Sequence, residues 1–82
     1  MSADTFNVPA WDGQAREVSL VWRLSKRGLF AECRLWTNPK GAEIRVKAAG
    51  EFVRSEAGAD PLALVETAMT WKAQFQEKGW AS

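Results

Sequence analysis

The chain contains no histidine, and its single cysteine is Cys33. Histidine is the commonest general base and the commonest metal ligand in proteins, so its absence removes nucleophilic catalysis by Ser/His or Cys/His pairs. One thiol cannot form an intramolecular disulfide, and by itself it cannot build a structural zinc site. We therefore expect a protein that is not an enzyme and that holds neither a metal nor a cofactor.

Long apolar runs are also missing, and only 3 of the 82 residues are proline. A membrane-spanning helix needs about 20 consecutive apolar residues, so no membrane partner is expected. A hydrophobic content of 46% with 26% charged residues is typical of one globular domain and not of a disordered chain. Residues 1–10 lack the basic and then apolar layout of a secretory signal, which leads us to expect a cytoplasmic protein.

The N-terminal residues 1–16 show no clean period and are expected to form an irregular arm attached to the body by Phe6, Val8 and Trp11. Residues 17–82 are expected to form a single domain. Within it, four segments alternate between apolar and polar residues, as half-buried strands require. Their turn signals, in chain order, are Arg27-Gly28, Asn38-Pro39-Lys40-Gly41 and Ala49-Gly50. The pattern predicts a four-stranded antiparallel meander whose first strand is Glu17 to Lys26.

A helix is predicted after the fourth strand. Asp60 can accept hydrogen bonds at the N-cap, and Pro61 fits the first helical position because its missing N–H costs nothing there. Apolar residues then recur at steps of three and four, which gives one stripe for packing on the sheet. Gly79 fits the position just after the helix, with Phe75 and Trp80 making the accompanying contact. The fold class predicted is α+β, with the helix on one face of the sheet (ββββα).

Tight turns fix the register, so the predicted pairing can be written down. It places apolar residues opposite one another on the inner face, including Leu20 with Leu35 and Val46 with Val53. On the outer face it places Arg34, Arg45 and Arg54 side by side. Like charges opposite one another in a ladder are destabilising, so the row is unusual for a surface selected only for stability. Residues 16–54 also hold nine Lys/Arg against four Asp/Glu.

Three interpretations of this face stay open. Arginine forks bind phosphate or carboxylate and aromatic rings stack on bases, which favours an anion or nucleic-acid site. The candidate residues for that site are Arg23, Arg34, Arg45, Lys47, Arg54, Trp36 and Phe52. Alternatively, outward Phe30 and Trp36 indicate a protein interface. Neighbouring glutamates can also neutralise the arginines, which would make the face merely solvated.

The segments Gly28–Trp36, Gly41–Arg45 and Gly50–Ser55, with Trp71 and the closing Lys-Gly-Trp at 78–80, resemble short uncharacterised bacterial proteins. That resemblance covers about two thirds of the chain and implies no activity. By element order the chain is also similar to PC4-like single-strand-binding domains. This second resemblance implies a dimer that binds single-stranded nucleic acid.

The composition and the pattern together predict a small, non-enzymatic binding module that forms a homodimer, with a protein partner also possible. The first strand is the expected pairing edge because it is long and free of proline. The alternative is weak binding of single-stranded nucleic acid or another anion by the arginine-rich outer face.

Overall fold

The structure is a computed structural model that describes residues 7–82. Four strands are followed by one helix: β1 (Glu17–Lys26), β2 (Leu29–Asn38), β3 (Gly41–Ala48), β4 (Glu51–Gly58) and α1 (Pro61–Glu77). The strands form one antiparallel sheet in the order β1-β2-β3-β4. The ββββα fold predicted from the sequence is confirmed. No helix within residues 7–82 combines the length and the apolar character needed to cross a bilayer.

Two-residue turns set the sheet register, as the sequence predicts. Arg27 and Gly28 have φ values of 53° and 82°, and Ala49 and Gly50 repeat this pair at 54° and 82°. Positive φ at both central residues is the conformation whose twist matches that of the flanking strands, and glycine adopts it at no steric cost. These two turns hold β1 to β2 and β3 to β4.

Residues 7–16 contain no helix or strand, and they attach at the far end of β2. The Arg16 amide donates to Thr37 Oγ1 over 2.8 Å, and the Thr37 amide donates to the Arg16 carbonyl over 2.9 Å. Val8 packs against the core, whereas Trp11 stays 39% exposed. Phe6 lies outside the described residues.

Both ends of α1 are fixed by local hydrogen bonds. The Asp60 carboxylate accepts from the Leu62 amide over 3.0 Å, with Pro61 at the first helical position. At the other end Gly79, with φ of 100°, lets the Trp80 amide reach the Phe75 carbonyl over 3.2 Å, and the two aromatic rings meet edge to face with centroids 5.9 Å apart. This is the helix ending that the sequence predicts.

The core lies between α1 and the inner face of the sheet. It receives residues from β1, β2, β3 and α1 but no buried residue from β4. Its members are Trp22, Leu24, Ala31, Cys33, Leu35, Ala42, Ile44, Val46, Leu64, Ala68 and Trp71. The Trp22 indole N–H donates to the Ala68 carbonyl over 2.7 Å, so a buried polar group is satisfied across the two layers. The helix thus contacts β4 as well, but it buries no residue of that strand.

Two irregularities in β1 change the predicted pairing. From the turn at Arg27-Gly28 back along β1, the observed register matches the predicted one as far as Trp22 opposite Cys33. It then shifts between Leu20 and Trp22 and again between Glu17 and Ser19. Leu20 faces Arg34 on the outer side and is 43% exposed, so its predicted pairing with Leu35 is wrong. A bulge adds one residue to one strand and turns the following side chains to the opposite face.

A register shift in β4 corrects a second prediction. Lys47 faces Phe52 and Val46 faces Arg54, so Val53 is the extra residue. The predicted pairing of Val46 with Val53 is wrong, and Val53 is 49% exposed. Arg54 lies on the inner face beside α1, and it does not join Arg34 and Arg45. The outer row of three arginines therefore does not exist.

The two edges of the sheet differ. On β1, Ser25 exchanges two backbone hydrogen bonds with Ala81, at 2.6 and 2.9 Å. The segment that follows α1 thus pairs with this edge. Along β4, residues 51–56 are all exposed, and no segment of the described chain pairs with the outer side of the strand.

Candidate functional site

A shallow depression of about 530 Å³ lies on the outer face of the sheet, opposite α1. The side chains that line it come from all four strands: Glu17, Glu32, Arg34, Trp36, Glu43, Arg45, Lys47 and Phe52. Five of the seven residues assigned to an anion site from the sequence line this depression. Arg23 lies just outside it, and Arg54 lies on the other face of the sheet.

Arg34 occupies the middle of the depression between two carboxylates. Its Nε donates to Glu32 Oε1 over 3.0 Å, and its Nη1 donates to Glu17 Oε2. The hydrogen bond from Arg34 holds the pKa of Glu32 below its usual value, while the same pairs raise the pKa of Arg34. Both groups are therefore ionised at neutral pH. The repulsion between Arg34 and Arg45 that the sequence implies is relieved by these two glutamates.

Arg45 lies directly opposite Arg34 in the ladder and is held by two neighbours. Its Nη2 donates to Glu43 Oε1 over 3.1 Å, and its Cζ lies 4.5 Å from the centre of the Trp36 ring. Asn38 Nδ2 donates to the same Glu43 oxygen over 3.1 Å. A guanidinium stacked on an indole and paired with a carboxylate has little freedom to rotate.

Lys47 is the cation of the depression that has no ion-pair partner among residues 7–82. Glu32 lies opposite it in the ladder but forms no ion pair with it. On its other side lies Phe52, which is 60% exposed. An available ammonium therefore stands next to an available aromatic ring.

Arg54 has contacts that differ from those predicted. Its Cζ lies 4.1 Å from the centre of the Trp71 ring, and its Nη1 lies 3.4 Å from Gln74 Oε1. It thus bridges the open strand β4 to the helix. Because Arg54 is on the inner face, it contributes nothing to an outer anion site.

Phe30 and Trp36 both point to the outer face, but they do not form one patch. They lie six residues apart on β2, which is about 20 Å along a strand, with Glu32 and Arg34 between them. Phe30 is 48% exposed and carries Arg23 over its ring at 4.0 Å. The two rings are therefore not adjacent, and whether they anchor an interface stays a prediction.

Glu17 is the site residue that the sequence did not reveal. The bulges in β1 place it opposite Trp36, at the position that a regular strand would give to Ser19. The sequence feature that indicates a bulge in β1 is the run Leu20-Val21-Trp22, because three consecutive apolar residues do not fit the apolar/polar alternation of a regular half-buried strand.

The remaining candidates for chemistry are few. Cys33 is fully buried, and burial raises the pKa of its thiol to about 12, so it stays protonated and unreactive. Among residues 7–82 there is no group of three or more acidic, cysteine or histidine side chains that could hold a metal ion. The arrangement is suited to binding by charge and aromatic contact.

Comparisons of the chain with protein-family models, with curated proteins and with solved structures find no match. The ββββα topology is thus established by the structure alone, and no family or structural neighbour supports either resemblance noted in the sequence.

Proposed function

We propose that the protein is a non-enzymatic binding module that self-associates as a homodimer through antiparallel pairing of two β4 strands. The observation that carries the proposal is the open state of β4, in which residues 51–56 are exposed and the outer edge has no partner within the described chain. An open edge presents unpaired backbone donors and acceptors to a second strand. Two copies would join their sheets into one sheet of eight strands.

The sequence of β4 is complementary to itself in one antiparallel register. If Ser55 lies opposite Ser55 of a second copy, Arg54 of each copy lies opposite Glu56 of the other. Both residues are on the inner face, since they pair with Val46 and Ile44. Opposite charges that face each other across strands contribute roughly 0.2 to 1 kcal/mol per pair, and the two-fold axis supplies the pair twice.

The β1 edge, which the sequence favoured for pairing, is less suitable. It contains two register shifts, and Ser25 is already paired with Ala81. Bulges and covering segments are the devices by which sheet edges are protected from other chains. The proposed interface therefore moves from β1 to β4.

The proposed location is the cytoplasm. The single cysteine is buried and unpaired, which agrees with a reducing compartment.

Charge reversal on β4 tests the proposed register. In Glu56→Arg every cross-strand pair becomes Arg with Arg, and in Arg54→Glu every pair becomes Glu with Glu. We expect light scattering after size exclusion to show each variant as a monomer at concentrations where the wild type is a dimer. Mixing the two variants restores two opposite-charge pairs, so the mixture is expected to form a heterodimer.

Two controls separate pairing from misfolding. The exposed helix residue Glu66 supplies a matched change of charge, and Glu66→Arg is expected to remain dimeric. The double variant Arg54→Glu with Glu56→Arg restores complementarity within one chain and is expected to dimerise. The proposal fails if the wild type is monomeric from about 10 to 500 μM, a range that covers weak dimers. It also fails if Glu56→Arg stays dimeric or if the two variants do not associate when mixed.

A further inference from the structure

We propose that the depression on the outer face binds a planar aromatic ring that carries one negative charge. Lys47 and Arg45 would hold the anionic group, and Phe52 would stack on the ring. This site lies on the face opposite α1 and uses residues of a single protomer, so it does not depend on pairing through β4.

The charged side chains in and beside the depression include one more cation than carboxylates. Three carboxylates, from Glu17, Glu32 and Glu43, face four cations, from Arg23, Arg34, Arg45 and Lys47. Each arginine of this set is in an ion pair with a glutamate, so the excess positive charge resides on Lys47. A ligand with a single negative charge neutralises that excess, whereas a cation would be repelled by the Lys47 ammonium, which has no ion pair among the described residues.

Arg45 supplies the second contact because its donors are only partly used. Its Nη2 is taken by Glu43, while its Nε and Nη1 have no acceptor among the residues described. Arg45 and Lys47 are two residues apart on β3, and so they project from the same face. The Trp36 ring and Glu43 hold the guanidinium in place before a ligand arrives, which lowers the entropy lost on binding.

Phe52 completes the site. It lies opposite Lys47 in the ladder and is the most exposed aromatic residue of the sheet, at 60%. Ser55 lies opposite Arg45 on the same face and has a small side chain. A volume of about 530 Å³ falls within the range of small-molecule sites, roughly 300 to 1,000 Å³. The depression is thus large enough for a fused ring and its anionic group.

One ring with one negative charge can come from two sources. A free aromatic carboxylate has this chemistry, and so does each nucleotide of a single strand, in which one phosphodiester accompanies each base. Calorimetric titration with naphthalene-2-carboxylate and with an oligothymidylate of about eight nucleotides distinguishes the two sources. Naphthalene-2-methanol is the matched neutral probe.

We expect Lys47→Gln to weaken binding of the better probe by about tenfold or more, as loss of a charge-assisted contact implies. Phe52→Ser should weaken it as well. Lys72→Gln, the same charge change on α1, should leave the affinity as in the wild type. Tighter binding of the oligonucleotide with a steep salt dependence identifies nucleic acid as the source, and tighter binding of the carboxylate identifies a free small molecule.

Three results overturn the proposal. The first is that neither probe binds at up to about 5 mM, since a dissociation constant above that value is weaker than that of any specific site. The second is equal affinity of Lys47→Gln and the wild type, and the third is equal affinity for the alcohol and the carboxylate. The Glu56→Arg variant serves as a further control because it alters only the proposed dimer contact. Retained binding by that variant is expected, and lost binding would refute the assignment of the site to a single protomer.

Discussion

Trp71 is the residue on which the attachment of α1 to the sheet depends most. Its side chain is 4% exposed, and Arg54 lies over its ring at 4.1 Å. Truncating a buried Trp to Ala costs about 3 to 5 kcal/mol, and losing a partly exposed cation–π contact adds about 0.5 to 1 kcal/mol. We expect Trp71→Ala to lower the free energy of unfolding by about 4 to 6 kcal/mol. Small domains have only about 5 to 15 kcal/mol in total.

Urea unfolding followed by far-ultraviolet circular dichroism measures this change. The proposed self-association would make stability depend on concentration, so all variants are compared at one protein concentration. Trp71→Phe keeps an aromatic ring and is expected to cost less, about 1 to 2 kcal/mol. Trp11→Ala is the matched control, because this indole lies in the arm and is 39% exposed. It should change stability by less than about 0.5 kcal/mol.

The outcomes are well separated. If Trp71→Ala unfolds within about 1 kcal/mol of the wild type, the helix contact does not carry the core and the reasoning is wrong. If Trp71→Ala is too unstable to purify, the stability of Arg54→Ala, expected to lie between those of the wild type and Trp71→Phe, still tests it. Loss of the ring contact alone should cost less than loss of indole volume.

Two further predictions concern ionisation. Because Arg34 lowers the pKa of Glu32 in the folded state, the pair stabilises the protein fully above the ordinary glutamate pKa of 4.5, and this contribution is lost as the pH falls through the folded value. Urea midpoints between about pH 3 and pH 6 should therefore fall less steeply for Glu32→Gln than for the wild type, and equal slopes would contradict the pairing. Cys33, with its pKa raised to about 12 by burial, should react with a thiol reagent at pH 8 only as fast as the protein unfolds. Rapid labelling of the folded protein would show that the thiol is accessible.

The element bounds were predictable because local signals agreed with one another. Positive-φ turns at Arg27-Gly28 and Ala49-Gly50, the cap at Asp60 and the ending at Gly79 are each encoded within a few residues. Alternation between the turns could then be assigned to strands without knowledge of distant contacts. The fold class follows from these signals together.

The site was harder to predict because it depends on bulges. In β4 the segment Phe52-Val53-Arg54 fits a regular strand as well as a bulged one, and only packing against α1 decides that Arg54 covers Trp71. In β1 the same ambiguity concealed Glu17. A shift of one residue moves a side chain to the opposite face of the sheet. An error in the predicted register can therefore leave the predicted fold correct and still place site residues on the wrong face.

The hydrogen bonds between Ser25 and Ala81 bear on how far the proposed association would proceed. A sheet with two open edges can add copies at both sides and grow into a filament. Here the bridge to Ala81 and the two register shifts protect the β1 edge, whereas β4 has neither a bridge nor a covering segment among the described residues. A contact between identical β4 edges closes on itself by two-fold symmetry. Growth would therefore stop at two copies, and the segment that occupies β1 would act as a terminator of polymerisation.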